Sequence, residues 1–310
     1  MFEERKINPE LLKQYREQGY WKNETLLDCW ERAAAQYPDR EYVVDDRGYR
    51  YTYRELDEAA GRVASYLMEL GIRPGEVVSY QFPIWSEFAM LTIACYKVGA
   101  VAHPIAMSYE EKELARSLNV TESRCYFGPT YFYKTDYEER ILAVRDQTPL
   151  LKDIVLIDSV KPAKSSVRLL REILASYEPL PKEQCVHTKN GQDIAVILCT
   201  SGTTGGTKGV LLSHDIVRFA EEAFNRELGL TKADIMFMPA PLHHATGFHH
   251  AIIAPMLYGG KVVLQQKYQC RAAIDLMNRE KVTYSMGATP FIYDILRELD
   301  ANGGGLPTLK

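Results

Sequence analysis

The sequence predicts an α/β protein: two lobes of parallel β-sheet covered by helices. Three observations carry this. Helical and strand patterns alternate almost without break along 310 residues. The strand candidates are short runs rich in β-formers, bounded by Gly, Pro and Asp turns. At 46% hydrophobic and 25% charged, the composition supplies a core, which excludes a disordered or fibrous chain.

The elements follow in order. Thr25 to Tyr37 places Leu26, Leu27, Trp30, Ala33, Ala34 and Tyr37 at helical spacing. Tyr53 to Leu70 does the same with Leu56, Ala60, Val63, Leu67 and Leu70, and Gly71 marks its stop. Between and after them, Glu41 to Val44, Tyr49 to Tyr51, Val77 to Phe82 and Ala100 to Ile105 read as strands. The rhythm continues through Arg124 to Phe127, Ile154 to Ile157, Ile194 to Thr200, Gly209 to Leu212, Ile235 to Met238, Lys261 to Leu264 and Val282 to Met286. Asp215 to Glu227 and Pro290 to Leu299 are interleaved helices. The polar, Pro-bearing stretch Tyr177 to Asp193 is the expected boundary, dividing a first lobe, 1–190, from a second, 191–310, on which Thr25 to Tyr51 is also free to pack.

Charge and cysteine usage narrow the function classes. Thirty-seven Lys plus Arg against 41 Asp plus Glu give a net charge of −4, with no basic excess for nucleic acid. The N-terminus is charged where a leader would be apolar, and no window approaches a membrane span, so a cytoplasmic protein is expected. The six cysteines are scattered, without a CxxC pair, which fits reduced thiols.

Residues 194–214 read IAVILCTSGTTGGTKGVLLSH: a strand, a loop of glycines and hydroxyls with one Lys, and a second strand. Gly202, Gly205, Gly206 and Gly209 permit backbone conformations that turn successive N–H groups into one concavity, and Thr200, Ser201, Thr203, Thr204 and Lys208 add donors suited to a polyphosphate. A Walker loop is excluded, because Thr207 precedes Lys208 and Gly209 follows it, so no hydroxyl stands where that motif holds magnesium. No GxGxxG is present either.

TSGTTGGTKG, Thr200 to Gly209, resembles the phosphate-loop signature of the adenylate-forming enzymes, which include acyl-CoA synthetases, adenylation domains and luciferases. That family usually writes Pro where this chain has Thr207. YTYRELDEAAGRVASYL, ACYKVGAVAHPI, PLHHATGF, YGGKVVL and KVTYSMGATP resemble further family landmarks in the same order. The resemblance implies an AMP-forming carboxylate–CoA ligase. Its substrates would be ATP with Mg2+, a small carboxylic acid and coenzyme A, and its fold the N-terminal portion of that family's fold without the C-terminal domain. Thr200, Ser201, Gly202, Thr203, Thr204, Gly205 and Lys208 would bind the ATP phosphates, with Thr204 also touching Mg-ATP and Lys208 and His244 as catalytic groups. His243, His244, Ala245, Thr246, Gly247 and Phe248 would shape the acyl pocket.

A zinc site at His243, His244, His249 and His250 has a competing claim, but the spacing is not HExxH and no carboxylate or Cys falls among them. No Asp or Glu lies between Pro239 and Lys261 to pair with an α-ammonium, which argues against amino acid substrates. Hydroxybenzoate activators typically place an Asn after the motif His, where Ala245 stands. The stretch from Glu76 to Ile105 looks most like ligases for small alicyclic or short-chain acids, such as cyclohexanecarboxylate or carnitine-type CoA ligases. An aryl-acid AMP ligase and a non-catalytic nucleotide-binding remnant are the alternatives, and assembly as a homodimer is left open. The family's adenine loop, its magnesium-holding Glu, its ribose Asp, its hinge and its C-terminal Lys have no counterpart here, so the 310 residues alone are expected to be inactive. The absent remainder should also leave an edge strand and apolar surface uncovered.

Overall fold

A computed structural model describes residues 8–158, 162–164, 167–188, 190–200 and 208–310. In chain order the strands are β1 (Glu41–Asp45), β2 (Arg50–Thr52), β3 (Val77–Tyr80), β4 (Val101–Pro104), β5 (Cys125–Pro129), β6 (Tyr131–Phe132), β7 (Thr135–Asp136), β8 (Asp153–Ile157), β9 (Arg168–Leu169), β10 (Ile194–Thr200), β11 (Lys208–Ser213), β12 (Ile235–Met238), β13 (Lys261–Leu264) and β14 (Tyr284–Ser285). Among the described residues they form a seven-stranded sheet, β11-β10-β4-β3-β5-β8-β9, a five-stranded sheet, β14-β12-β13-β1-β2, and the β6-β7 hairpin. Pairing in the two large sheets is parallel except for β10 with β11 and β1 with β2.

Sheet membership does not follow a cut at residue 190. β10 and β11 complete the seven-stranded sheet through β4, while β1 and β2 join the five-stranded sheet through β13. The stretch expected to link two lobes is packed: Leu180 N–H bonds the Gly61 carbonyl at 3.1 Å and Val186 N–H the Lys97 carbonyl at 2.8 Å. Its prolines and charges gave it the composition of a linker, but backbone hydrogen bonds hold it against two helices.

Helix Leu26–Gln36 begins at Thr25, whose hydroxyl accepts from Asp28 N–H while the Asp28 carboxylate returns a bond to Thr25 N–H. Helix Tyr53–Glu69 begins with the same device on Thr52 and Glu55, and Gly71 supplies the positive φ of +73° just beyond its end. Helix Glu87–Lys97 is buried along all eleven residues. Its apolar side chains on every face account for that, and its two charges are neutralised locally, Lys97 by Asp57 at 2.7 Å and Glu87 by Arg47. The largest core cluster joins both sheets, with Val78, Ala102 and Phe127 from one and Val43, Met238 and Val262 from the other. Trp30 stacks on Tyr53 with centroids 5.3 Å apart, and Tyr42 meets both rings edge-on.

On helix Thr289–Asn302 no residue is buried, and Ile292, Tyr293 and Leu296 are exposed. No helix among the described residues is long and apolar enough to cross a membrane.

Candidate active site

Two stretches at the carboxyl ends of parallel strands carry the residues singled out by the sequence, the position where open α/β sheets bind ligands. The first follows β10. β10 and β11 run antiparallel with Leu198 opposite Val210, Cys199 opposite Gly209 and Thr200 opposite Lys208. The chain therefore leaves and re-enters one sheet edge at a fixed register. Ser201, Gly202, Thr203, Thr204 and Gly205 lie outside the described residues, as does the side chain of Thr200. Lys208 opens β11 with an exposed side chain.

Behind this hairpin is a buried imidazole. His103 on β4 has Ser79 Oγ 2.7 Å from its Nδ1, and Ser117 Oγ at 3.3 Å and Cys199 Sγ at 3.6 Å from its Nε2. Burial pushes its pKa down to about 3, so the ring is neutral at ordinary pH and offers one donor and one acceptor to these neighbours. The end of β10 is thus tied to β4 and β3 by a network without net charge.

The second stretch follows β12. Pro241 to His244 form a turn, closed by His244 N–H on the Pro241 carbonyl at 3.2 Å, and His244 then accepts from Phe248 N–H at 2.8 Å. Its side chain is exposed, and its ring lies 5.5 Å from that of His243. Burial, with a smaller push from His244, lowers His243 to about 4, which leaves it uncharged near neutrality. Ala245 is exposed, Thr246 half-buried and Gly247 buried. A Cβ on Gly247 would stand 2.2 Å from the Pro241 carbonyl oxygen, so only glycine allows the helix to close on the turn. Phe248 is fully buried and meets Phe88 edge-on, centroids 6.4 Å apart, which makes it a member of the core.

The helical run from Ala245 to Tyr258 contains a π-helical turn, Phe248–Ile253. On it, His249 Nδ1 lies 3.1 Å and His250 Nδ1 3.0 Å from the two carboxylate oxygens of Glu221, on helix His214–Glu227. Burial alone would raise Glu221, but the bonds from His249 and His250 outweigh it and hold the carboxyl below its usual range. Sequence reasoning missed Glu221. The available signal was a carboxylate four residues after Val217, on the stripe that helix 214–227 turns inward. The candidate zinc ligands are therefore divided, His249 and His250 on Glu221 and His243 against His244. Among the described residues no group of three or more His, Cys, Asp or Glu is arranged to hold a metal.

Lys208 belongs to the seven-stranded sheet, whereas His243 to Phe248 follow a strand of the five-stranded sheet. The Gly/Thr-rich segment thus follows a strand of one sheet and the His-bearing turn a strand of the other, on an α/β fold with two mostly parallel sheets. A model of the family described as AMP-binding enzyme matches residues 30–309, and the chain belongs to that family. It is 39% identical over 296 residues, 96% of this chain and 52% of the relative, to the medium-chain fatty-acid–CoA ligase of Escherichia coli. It is 27% identical over 282 residues, 91% of this chain and 50% of the relative, to the 2,3-dihydroxybenzoate-AMP ligase of Bacillus subtilis. The fold is that of Mycobacterium smegmatis MbtA, with TM-score 0.84 and 23% identity, covering 94% of this chain and 53% of that one. It is also that of the N-terminal domain of FACL13 from Mycobacterium tuberculosis, with TM-score 0.80 and 22% identity, covering 93% and 68%. The chain spans about half the length of the curated relatives it matches.

Proposed function

We propose that the protein works as an AMP-forming acid–CoA ligase on an apolar, medium-chain carboxylic acid. A carboxylate oxygen attacks the α-phosphorus of ATP, the bond to the β-phosphate oxygen breaks, and pyrophosphate leaves with the developing negative charge. Coenzyme A sulfur then attacks the acyl carbon and AMP departs. Thr200 to Gly205 and Lys208 hold the phosphates, and the loop's N–H groups and the Lys208 ammonium meet the charge that grows on pyrophosphate. His244 lies beside the carboxylate, and neutral His243 adds a second ring to that wall. Mg2+ would supply charge neutralisation on the phosphates when bound, with Thr204 as a candidate contact.

The observation that carries the reading is the 39% identity to a medium-chain fatty-acid–CoA ligase across nearly the whole chain. The uncharged stretch between Pro239 and Lys261 fits an acid without an α-ammonium. Pyrophosphate release by protein purified from its source organism, supplied with Mg-ATP, tests it. Octanoate should be turned over in preference to cyclohexanecarboxylate and 2,3-dihydroxybenzoate, and coenzyme A should convert the adenylate to thioester. Preference for the dihydroxybenzoate would replace this reading with an aryl-acid AMP ligase.

A further inference from the structure

One buried polar row is used by none of these steps. Ser79 on β3 and His103 on β4 are register partners, and Cys199 extends the row onto β10, the strand on the other side of β4. Ser123 Oγ lies 2.7 Å from Ser79 Oγ, Ser79 Oγ 2.7 Å from His103 Nδ1, and Cys199 Sγ 3.6 Å from His103 Nε2, an unbroken chain of contacts across three neighbouring strands. Ser79, His103 and Ser123 are buried, at a desolvation cost that aliphatic side chains would avoid, so the row adds direction rather than stability. Burial pushes the Cys199 thiol up and the His103 imidazole down. Both partners therefore stay uncharged, and their contact is a directional hydrogen bond rather than a thiolate–imidazolium pair.

The row ends where packing is incomplete. Cys199 pairs with Gly209, and a cavity of about 70 Å³ lies beside that rung, lined by Ser117, Thr121, Cys199 and Gly209 themselves. Apolar contact is missing on that side, so the bond from His103 supplies a constraint that packing does not. Lys208 is the neighbour of Gly209 on β11 and opens that strand. We propose that His103 is a positioning residue for adenylation: through the Cys199 thiol it sets the Cys199–Gly209 rung, and the rung sets where Lys208 leaves the sheet. This rests on the reading of Lys208 as the cation that meets the ATP phosphates. A displacement of the rung by about 1 Å would carry the ammonium off the oxygen on which charge develops, which lowers the rate and leaves binding of the acid alone.

Steady-state kinetics of the full-length protein and its variants tests the proposal. Asn at position 103 reaches only as far as Nδ1 and Gln as far as Nε2, so the two variants separate the Ser79 end of the ring from the Cys199 end. His103→Asn should lower turnover about tenfold with KM for the acid unchanged, and His103→Gln should recover most of that loss. Cys199→Val, which fills the space of the thiol without its hydrogen bond, should match His103→Asn, and the double variant should be no slower than either alone. In a Lys208→Ala background, His103→Asn should have no further effect. Long-range proton–nitrogen spectra of the unsubstituted protein give a readout independent of whether a variant folds: the His103 ring resonances should move when the Mg2+ complex of a non-hydrolysable ATP analogue is added. Equal losses for Asn and Gln, additive losses with Cys199→Val, or unmoved resonances overturn the positioning role. A loss that persists in the Lys208→Ala background overturns Lys208 as the group positioned. Unchanged turnover in Lys208→Ala itself overturns the reading of that lysine and the proposal with it.

Discussion

Thr200 and Lys208 face each other across the β10–β11 ladder, so the Gly/Thr-rich residues between them start and finish at one rung of a hydrogen-bonded pair. The rung is itself supported from behind, since Cys199 lies next to Thr200 and its thiol reaches His103, which in turn bonds Ser79 on β3.

Lys208 is exposed at the start of β11, and the proposed reaction uses its ammonium on the ATP phosphates. Lys208→Ala should leave the melting temperature within about a degree. Pyrophosphate release should fall by about a hundredfold or more, mainly in turnover rather than in KM for the acid. Steady-state kinetics beside a thermal melt checks both halves, and an unchanged turnover would remove Lys208 from the reaction.

Gly247 makes a purely steric prediction. Its φ of −67° is open to any residue, so alanine there carries no backbone strain of its own. The added methyl would nevertheless meet the Pro241 oxygen at 2.2 Å and the Leu242 Cα at 2.7 Å, both backbone atoms that cannot swing aside. Gly247→Ala should cost about 3 kcal/mol in urea unfolding and displace the His243–His244 turn, raising KM for the acid.

How much of this was legible in the sequence varies with the range of the interaction that decides it. Helices Leu26–Gln36 and Tyr53–Glu69 fall within a residue of their expected limits, because the apolar period and the Thr caps are local signals. β10, β12 and β13 also match their expected limits, as short apolar runs bounded by turn residues. Which sheet each strand enters is set by contacts far along the chain. Val43 with Val262 puts β1 in the second sheet, a packing the expectation left open for Thr25 to Tyr51, whereas Val196 with Ala102 puts β10 in the first, and a cut drawn from composition near residue 190 had no access to that pairing. The same limit explains Glu221. Its partners, His249 and His250, were visible as a histidine cluster, but the carboxylate that orients them comes from another helix 28 and 29 residues away.

Three histidines make stability depend on pH in one direction. His103 is lowered from the ordinary 6.5 to about 3, and His214 and His243 to about 4, each chiefly by burial. An unfolded chain takes up these protons near pH 6.5 while the folded one refuses them, so stability falls as the pH is lowered from 6.5 toward 3 to 4 and is flat above that interval. Near pH 5 each histidine contributes a slope approaching about 1.4 kcal/mol per pH unit. His103→Asn keeps a polar partner for Ser79 and should reduce the summed slope of the three by about one third, measured as urea midpoints between pH 6.5 and 4.5. A slope equal to that of the unsubstituted protein would mean that His103 is protonated in the fold.

Glu280 tests how the five-stranded sheet is fastened to the helix beside it. Its oxygens accept from both Nη atoms of Arg50, at 2.9 and 3.0 Å, and from Lys261 Nζ at 2.7 Å, while Glu41 bonds the same two cations at 2.6 Å each. The four charges thus join β1, β2 and β13 to the last turn of helix Cys270–Glu280. The bonds from Arg50, with help from Lys261 and against burial, hold the Glu280 carboxyl at about 2, so its stabilising charge is complete above the ordinary 4.5 and is lost only as the pH falls toward 2. Glu280→Gln leaves Lys261, which is nearly buried, with one carboxylate to serve as its counter-ion. Arg50 is about half exposed, so solvent screening limits the loss to about 1 to 2 kcal/mol at neutral pH. Part of that deficit should disappear in 1 M salt, where the exposed side of the cluster is already screened. Urea midpoints at low and high salt separate the two contributions, and a deficit unaffected by salt would assign the whole effect to the buried Lys261 contact.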